Sequence, residues 1–373
     1  MHIIPYFIPG GAENQLKLLI ENDTEYNHII VPLRKSLNQF NIENKNIRII
    51  SLNIKYNPIS WFYSLYKLVA LIIKYKPSII HGWMYHAQFI TIFLKIFYRC
   101  KYIWCIRHGT FSKSTKRTTK LISNINAIFS NSVPNFIIYN SESGKKVHEN
   151  RRYNKSKGLF IYNAGNDNFK YIRDIRSKQR KEWKINENDF LIGFVARYSP
   201  QKGVKVLLDS YKNSLGNNKD VKLVICGKGM DWENIELTQY LKELNIYQRV
   251  ILNGQVSNIN PIMNAIDIYI STSLYGEAFP NVILEASYTG LPIIASNVGD
   301  TYKILDSKDS LVEPNDKKTY SSLLMKYYNK YKSTDSSIID QEREKNSKNK
   351  HNYFSCKEMV ERYRYIWRDL ICI

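Results

Sequence analysis

An α/β fold with parallel sheets, divided into two domains, is what this chain predicts, and three observations lead there. It has 373 residues, enough for two hydrophobic cores. Short apolar runs of strand length alternate with helical stretches from one end to the other, the pattern of repeated βαβ units. Near residue 270 a strand, a loop and a helix follow closely, which sets a helix start beside the carboxyl end of a strand.

Taken in order, Met1-His-Ile-Ile-Pro-Tyr-Phe-Ile-Pro predicts a first strand, short enough to imply a chain that starts a few residues into it. It lacks the basic start, long apolar core and cleavage site of a secretory signal. Gly10 and Gly11 end the strand, and residues 12–20 predict the first helix. Further strands are predicted at 47–52, 78–81, 102–106, 135–139, 159–162, 190–196, 221–226, 250–253, 266–271 and 292–295. Pro280 is the kind of residue that opens a helix. Domains are expected over 1–165 and 166–350, the second entered through a polar linker and short helix at 170–184, with 351–373 forming a last helix. Terminal helices are expected at 316–331 and 354–371, and the charged, low-complexity residues 333–350 between them are expected to be mobile or a poorly packed helix. The most apolar windows, 61–73 and 87–98, are short and contain Lys67 and Lys95, so no membrane-crossing helix is expected. Five scattered cysteines without metal spacing suit a reduced, cytosolic setting.

Charge is unevenly placed. No Asp or Glu lies between Glu43 and Glu142, a stretch with 14 Lys and Arg, and residues 1–170 hold 24 basic against 8 acidic side chains. That half accounts for +16 of the formal +21, and such a surface attracts nucleic acid, anionic lipid or a phosphorylated acceptor. A lysine-rich composition with no partner is the plain alternative. Rings are interleaved with the cations, among them Trp61, Phe62, Tyr63, Tyr66, Phe93, Phe97 and Trp104. Rings beside snorkelling Lys and Arg favour a membrane headgroup layer, although core packing is their commonest use. No ribonucleoprotein motif, zinc finger or recognition-helix pattern is present, so nucleic acid is not an expected partner.

The densest signal is Tyr275-Gly-Glu-Ala-Phe-Pro-Asn-Val-Ile-Leu-Glu-Ala-Ser-Tyr-Thr-Gly290, with Glu277 and Glu285 eight positions apart. A helix opening at Pro280 leaves Glu277 in the loop and Glu285 inside the helix, so both can reach one site. Amides at the helix start offer positive partial charge to an anion such as phosphate. Taken alone, the pair also fits the solvated side of an ordinary amphipathic helix.

Gly276-Glu-Ala-Phe-Pro-Asn-Val-Ile-Leu-Glu-Ala-Ser, with Gly290-Leu-Pro-Ile-Ile-Ala-Ser and Val298-Gly299, resembles the donor-binding motif of the retaining GT-B glycosyltransferases, glycosyltransferase family 4 (glycosyl transferases group 1). Phe194-Val-Ala-Arg-Tyr-Ser-Pro-Gln-Lys-Gly203 and Val224-Ile-Cys-Gly-Lys-Gly229 resemble the family's Arg and Lys-Gly block and its next glycine turn. Weaker likenesses at Gly10-Gly-Ala-Glu13, Arg107-His-Gly109, Asn140-Ser-Glu142 and 163–169 extend over nearly the whole chain. The resemblance implies two Rossmann-like, doubly wound domains facing across a cleft, the first for the acceptor and the second for a nucleotide sugar. The last helix would cross back to the first domain. It implies transfer, with retention, from a UDP- or GDP-linked sugar to a lipid-linked or polysaccharide acceptor in bacterial capsule or O-antigen synthesis. The enzyme would work in the cytoplasm, peripherally at the inner face of the membrane.

By that resemblance Arg197 and Lys202 hold the diphosphate, one as a bidentate fork and the other as a mobile point charge. A leaving diphosphate needs fixed positive charge, and with no Asp-x-Asp triplet in the chain no metal cofactor is expected. Glu285 is placed on the ribose diol, because a carboxylate can accept two hydrogen bonds, and Glu277 on the donor sugar. Amides of Phe279, Asn281 and Val282 are expected on the diphosphate or sugar, and the base near Gly227 and Val256. Gly10 and Gly11 let the backbone approach a phosphate. His108 is expected at the donor sugar or reacting centre, although a lone His is also an ordinary structural residue. Catalytic roles thus fall to Glu277, His108, Arg197 and Lys202. The implied chemistry is front-face displacement in which the leaving phosphate helps remove the acceptor's proton; double displacement on Glu277 is the alternative. Two departures stand out: Ala278 replaces a usual glycine and narrows the sugar pocket, and Asn163-Ala-Gly-Asn-Asp differs from the family's tighter hinge turn. Competing readings are a GT-B nucleotide-sugar epimerase, which needs no acceptor, and a basic nucleic-acid-binding protein with steeply salt-dependent affinity.

Overall fold

The computed structural model describes residues 1–35, 40–54, 58–111, 115–305, 307–351 and 353–372, with the backbone alone for 58–62. The Trp61 and Phe62 rings therefore lie outside the described side chains. The chain divides into two compact units, one made of Met1–Ala164 with Cys356–Ile373 and the other of Gly165–Ser355.

In the first unit seven parallel strands form one sheet: β1 (His2–Ile4), β2 (His28–Pro32), β3 (Ile47–Ile49), β4 (Ile79–Trp83), β5 (Lys101–Ile106), β6 (Phe136–Tyr139) and β7 (Gly158–Phe160). Their order is β3-β2-β1-β4-β5-β6-β7. The alternation of β5 shows why both sides are covered. Ile103 and Cys105 point to the helices Gly11–Asn22 and Cys356–Ile371, while Tyr102, Trp104 and Ile106 point to Pro58–Tyr75, Met84–Phe97 and Arg117–Phe129. Two sequence expectations differ from this sheet. β2 is not among the predicted strands, because its apolar run between His28 and Pro32 is only three residues long and pairs with β1 and β3 on either side. The predicted strand at 47–52 is regular only over Ile47–Ile49.

A buried polar chain fastens the last helix within this unit. Trp83 Nε1 donates to His2 Nδ1 at 3.2 Å, which leaves His2 Nε2 to donate to His28 Nδ1 at 3.0 Å and His28 Nε2 to donate to Asp23 at 2.8 Å. Arg364 Nε donates to the other oxygen of Asp23 at 2.7 Å, and Trp367 Nε1 donates to His81 at 2.8 Å. Every link is satisfied, the condition under which buried polar groups rigidify a core.

The second unit is a six-stranded parallel sheet of β8 (Phe190–Val195), β9 (Val221–Cys226), β10 (Val250–Leu252), β11 (Ile268–Ser271), β12 (Ile293–Ser296) and β13 (Leu311–Val312). The order β10-β9-β8-β11-β12-β13 reverses between β8 and β11. At such a switch point the loops leave in opposite directions and open a crevice beyond the strand ends.

Residues 333–350, expected to be mobile or a poorly packed helix, are helical, with Arg343 and Ser347 as the helix's buried side chains. They form the helix Ser336–Lys350, capped by the Asp335 side chain. Arg343 is buried and donates to the carbonyls of Met263, Asn264 and Ile266. Its own carbonyl lies 2.1 Å from where a Cβ on Gly290 would sit. A guanidinium reaching inward, not an apolar stripe, holds this helix, so hydropathy did not signal it.

Candidate active site

The switch point of the second unit brings two sequence blocks together. After β8 the chain makes the tight turn Pro200–Lys202, and Gly203 takes the left-handed conformation at φ +64°. No other residue fits, since a Cβ there would lie 2.1 Å from the Thr272 carbonyl oxygen. The segment after β11 is stitched to this turn: Leu274 N donates to Gln201 O at 2.7 Å, and Thr272 Oγ1 lies 3.0 Å from the carbonyls of Lys202 and Gly203. Gly276, at φ +82°, then turns the chain back toward Lys202.

Lys202 Nζ donates to Glu277 Oε1 at 2.7 Å, with both side chains mostly shielded from solvent. Ser273 Oγ donates to the same oxygen at 2.8 Å. The Glu277 backbone is clamped from the other side, because a Cβ on Gly299 would lie 2.4 Å from its carbonyl oxygen and Asp300 N donates to Ala278 O at 2.8 Å. Pro280 caps the helix Asn281–Tyr288, whose start presents the amides of Asn281 and Val282. Phe279, buried, packs edge-on against Phe354 at 5.0 Å.

Glu285 lies one turn into that helix, and burial raises its carboxyl to about 7. Tyr269 of β11 locates it relative to Glu277: burial lifts the phenol well above its ordinary value, and the charges of Glu277 and Glu285 both add to the rise. The two carboxylates thus approach one buried ring. Arg197 is exposed and donates to Gln201 at 3.3 Å, so it joins this group through a neighbour and makes no ion pair with either acid. Gly227, at φ +137°, donates its amide to Gly254 O at 2.8 Å, and the Val256 amide reaches the Cys226 thiol. Those bonds seat the predicted base-binding loops on the ends of β9 and β10.

In the first unit, Gly10 precedes the helix Gly11–Asn22 in extended conformation. A Cβ on it would fall 2.5 Å from Glu13 Oε2. Burial raises the Glu13 carboxyl against hydrogen bonds from its own amide and that of Ala12. A phosphate at Gly10 and Gly11 would therefore share the helix start with an acid, which glycine spacing alone does not reveal. His108 follows β5, half-buried, with Tyr85 and Phe111 edge-on at 6.2 and 5.6 Å. Arg107 beside it donates to Asn163 at 2.5 Å and to Tyr363 of the last helix at 2.6 Å. Among the described residues no three His, Cys, Asp or Glu side chains converge as metal ligands do.

Sequence reasoning passed over Ser273, Thr272, Gln201 and Tyr269. Only Ser273 left a signal, a hydroxyl four positions ahead of Glu277.

Two parallel doubly wound sheets are the GT-B fold, and a Lys and Glu pair stands at the second unit's switch point. Residues 175–348, just under half of the chain, match the family Glycosyl transferases group 1. The chain is 28% identical to the UDP-Gal:alpha-D-GlcNAc-diphosphoundecaprenol alpha-1,3-galactosyltransferase of Escherichia coli, over 83% of this chain and 79% of that one. It is 26% identical to the capsular polysaccharide biosynthesis glycosyltransferase CapM of Staphylococcus aureus, over 73% of this chain and 71% of the other. Among solved structures, Anabaena HepE in complex with UDP and glucose superposes with a TM-score of 0.84 at 18% identity, covering 99% of both chains.

Proposed function

We propose that this protein is a retaining, metal-independent transferase of glycosyltransferase family 4 that moves a sugar from a UDP- or GDP-linked donor to a lipid-linked acceptor in capsule or O-antigen synthesis. The observation that carries the reading is the Lys202 and Glu277 pair at the switch point, where a cation for a diphosphate and a carboxylate for sugar hydroxyls meet at one helix start. Arg197, Lys202 and the amides of Phe279, Asn281 and Val282 take the diphosphate; Glu285 takes the ribose, and the Gly227 and Val256 loops the base. The lipid-linked acceptor follows from the E. coli relative, whose name specifies a diphosphoundecaprenol substrate. No metal is required, because leaving-group charge is met by side chains and amides.

The acceptor's setting agrees with the first unit's surface. Among the described residues no helix is long and apolar enough to cross a membrane. Yet the outer sides of Pro58–Tyr75, Met84–Phe97 and Arg117–Phe129 expose Tyr66, Ile96, Phe97, Leu121 and Ile128 within the stretch that has no acidic residue. Exposed apolar groups among cations suit peripheral contact with the anionic inner leaflet.

The test is transfer from a panel of UDP- and GDP-sugars to a diphosphoundecaprenol-linked saccharide, with anomeric configuration read by NMR. Lys202→Ala and Glu285→Ala should each abolish transfer and leave the fold intact. Normal turnover by both variants would overturn the assignment, and an epimerised sugar formed without any acceptor would favour an epimerase.

A further inference from the structure

We infer that Ser273 is a positioning residue that fixes Glu277 while Lys202 engages the donor, an inference that rests on the reading of the site given above. Glu277 Oε1 accepts two hydrogen bonds, from Lys202 Nζ at 2.7 Å and from Ser273 Oγ at 2.8 Å. Oε2 takes neither of them. One oxygen thus carries both bonds, and Oε2 is left to accept from a ligand. The two donors are unequal. Lys202 ends a flexible four-carbon stem and has further N–H bonds to give a phosphate. Ser273 is buried, one residue past Thr272, in the segment that Thr272 and Leu274 bind to the Gln201–Gly203 turn. Its hydroxyl has one proton, and that proton goes to Glu277.

When an anionic diphosphate draws Lys202 toward itself, the lysine's hold on Oε1 weakens. Ser273 keeps the carboxylate in its rotamer, so Oε2 still meets the sugar hydroxyls at the angle the transition state needs. The Gly299 and Asp300 contacts already fix the Glu277 backbone, so the hydroxyl acts on the one part of this residue that could still swing.

The experiment uses the full chain and whichever of UDP-glucose, UDP-galactose, UDP-N-acetylglucosamine and GDP-mannose the wild type hydrolyses. Ser273→Ala should lower kcat about 10- to 100-fold, the cost of a misplaced group. KM should change less than about twofold, because the diphosphate contacts stay, and calorimetric affinity for the matching nucleoside diphosphate should hold. Ser273→Thr, which keeps the hydroxyl, should restore most of kcat. With Glu277→Gln in the background, removing Ser273 should cost little more, since the two act as a unit. An unchanged kcat in Ser273→Ala while Glu277→Gln is inactive would overturn the inference and leave the site assignment standing. Equal losses of nucleotide affinity and melting temperature, without rescue by Thr, would overturn it in favour of a purely structural serine. If no donor is hydrolysed or transferred to the diphosphoundecaprenol-linked saccharide, or Glu277→Gln turns over normally, the functional reading itself fails and the inference falls with it.

Discussion

Glu285→Gln should make the ligand-free protein more stable at alkaline pH while destroying its grip on nucleotide. Burial raises the carboxyl from its ordinary 4.5 to about 7, which disfavours its ionised form in the fold by roughly 3 kcal/mol. The direction follows from proton counting. Between pH 4.5 and about 7 the folded chain holds more proton at this position than the unfolded chain, so the residue's contribution to stability falls as pH rises across that window. Above pH 7 the full cost is present. A glutamine of the same shape carries no such cost, so the variant should exceed the wild type by roughly 3 kcal/mol at pH 8 and by less than about 1 kcal/mol at pH 5. Urea melts of both proteins at the two pH values measure the difference, and any constant effect of the amide cancels between them. Calorimetry with UDP and GDP supplies the functional half: wild-type affinity should fall about tenfold per pH unit below 7, as the ribose acceptor protonates, and the variant should bind weakly throughout. A stability gap between the proteins that is the same at pH 5 and pH 8 would refute the reasoning, because the carboxyl would then titrate at its ordinary value.

Three further outcomes are expected. His2 and His81 are held well below 6.5 and His148 at about 4, each chiefly by burial, so the unfolded chain takes up protons first; stability present above pH 6.5 should drain as pH falls, with His148 alone contributing roughly 2 kcal/mol of the loss at pH 5, visible as a falling urea midpoint. Gly203→Ala forces a side chain into a left-handed residue and against the Thr272 carbonyl, and should cost more than about 2 kcal/mol in the same melts while displacing Lys202 and stopping transfer. Ile96→Asp and Ile128→Asp, at two of the most exposed apolar positions of the first unit, should abolish flotation with anionic vesicles yet leave turnover of a water-soluble acceptor within about twofold, given the 1.5–3 kcal/mol or so that burying one isoleucine contributes. Flotation unchanged in both variants would move the membrane contact elsewhere.

How much of this was legible beforehand depends on how locally each feature is encoded. β8 and β11 are apolar runs that cannot be anything else beside their turns, and the Lys202, Glu277 and Glu285 spacings are fixed by a few residues of loop and helix. Such features are visible in a line of letters. β2 was not, because five residues between His28 and Pro32 become a strand only once β1 and β3 lie on either side. The helix Ser336–Lys350 is legible only as one of two possibilities for a related reason: its anchors are Arg343 and Ser347, polar side chains whose burial depends on carbonyls some 60 to 80 positions away.

The site divides along the same line. That Glu277 is an acid in the right loop can be read from its neighbours; that one of its oxygens is occupied by Ser273 and Lys202 cannot, since it depends on β8 and β11 being adjacent in space. Glu13 makes the converse point. Gly10-Gly11 before a helix is a good phosphate signal, but the acid three positions on folds back beside Gly10 onto the amides of Ala12 and Glu13, so the helix start is contested. Residue type and spacing therefore identify which groups can do the chemistry, whereas their readiness to do it is set by partners that the topology supplies. For this transferase those partners are a serine that steadies one carboxylate and the burial that leaves another half-protonated near neutral pH.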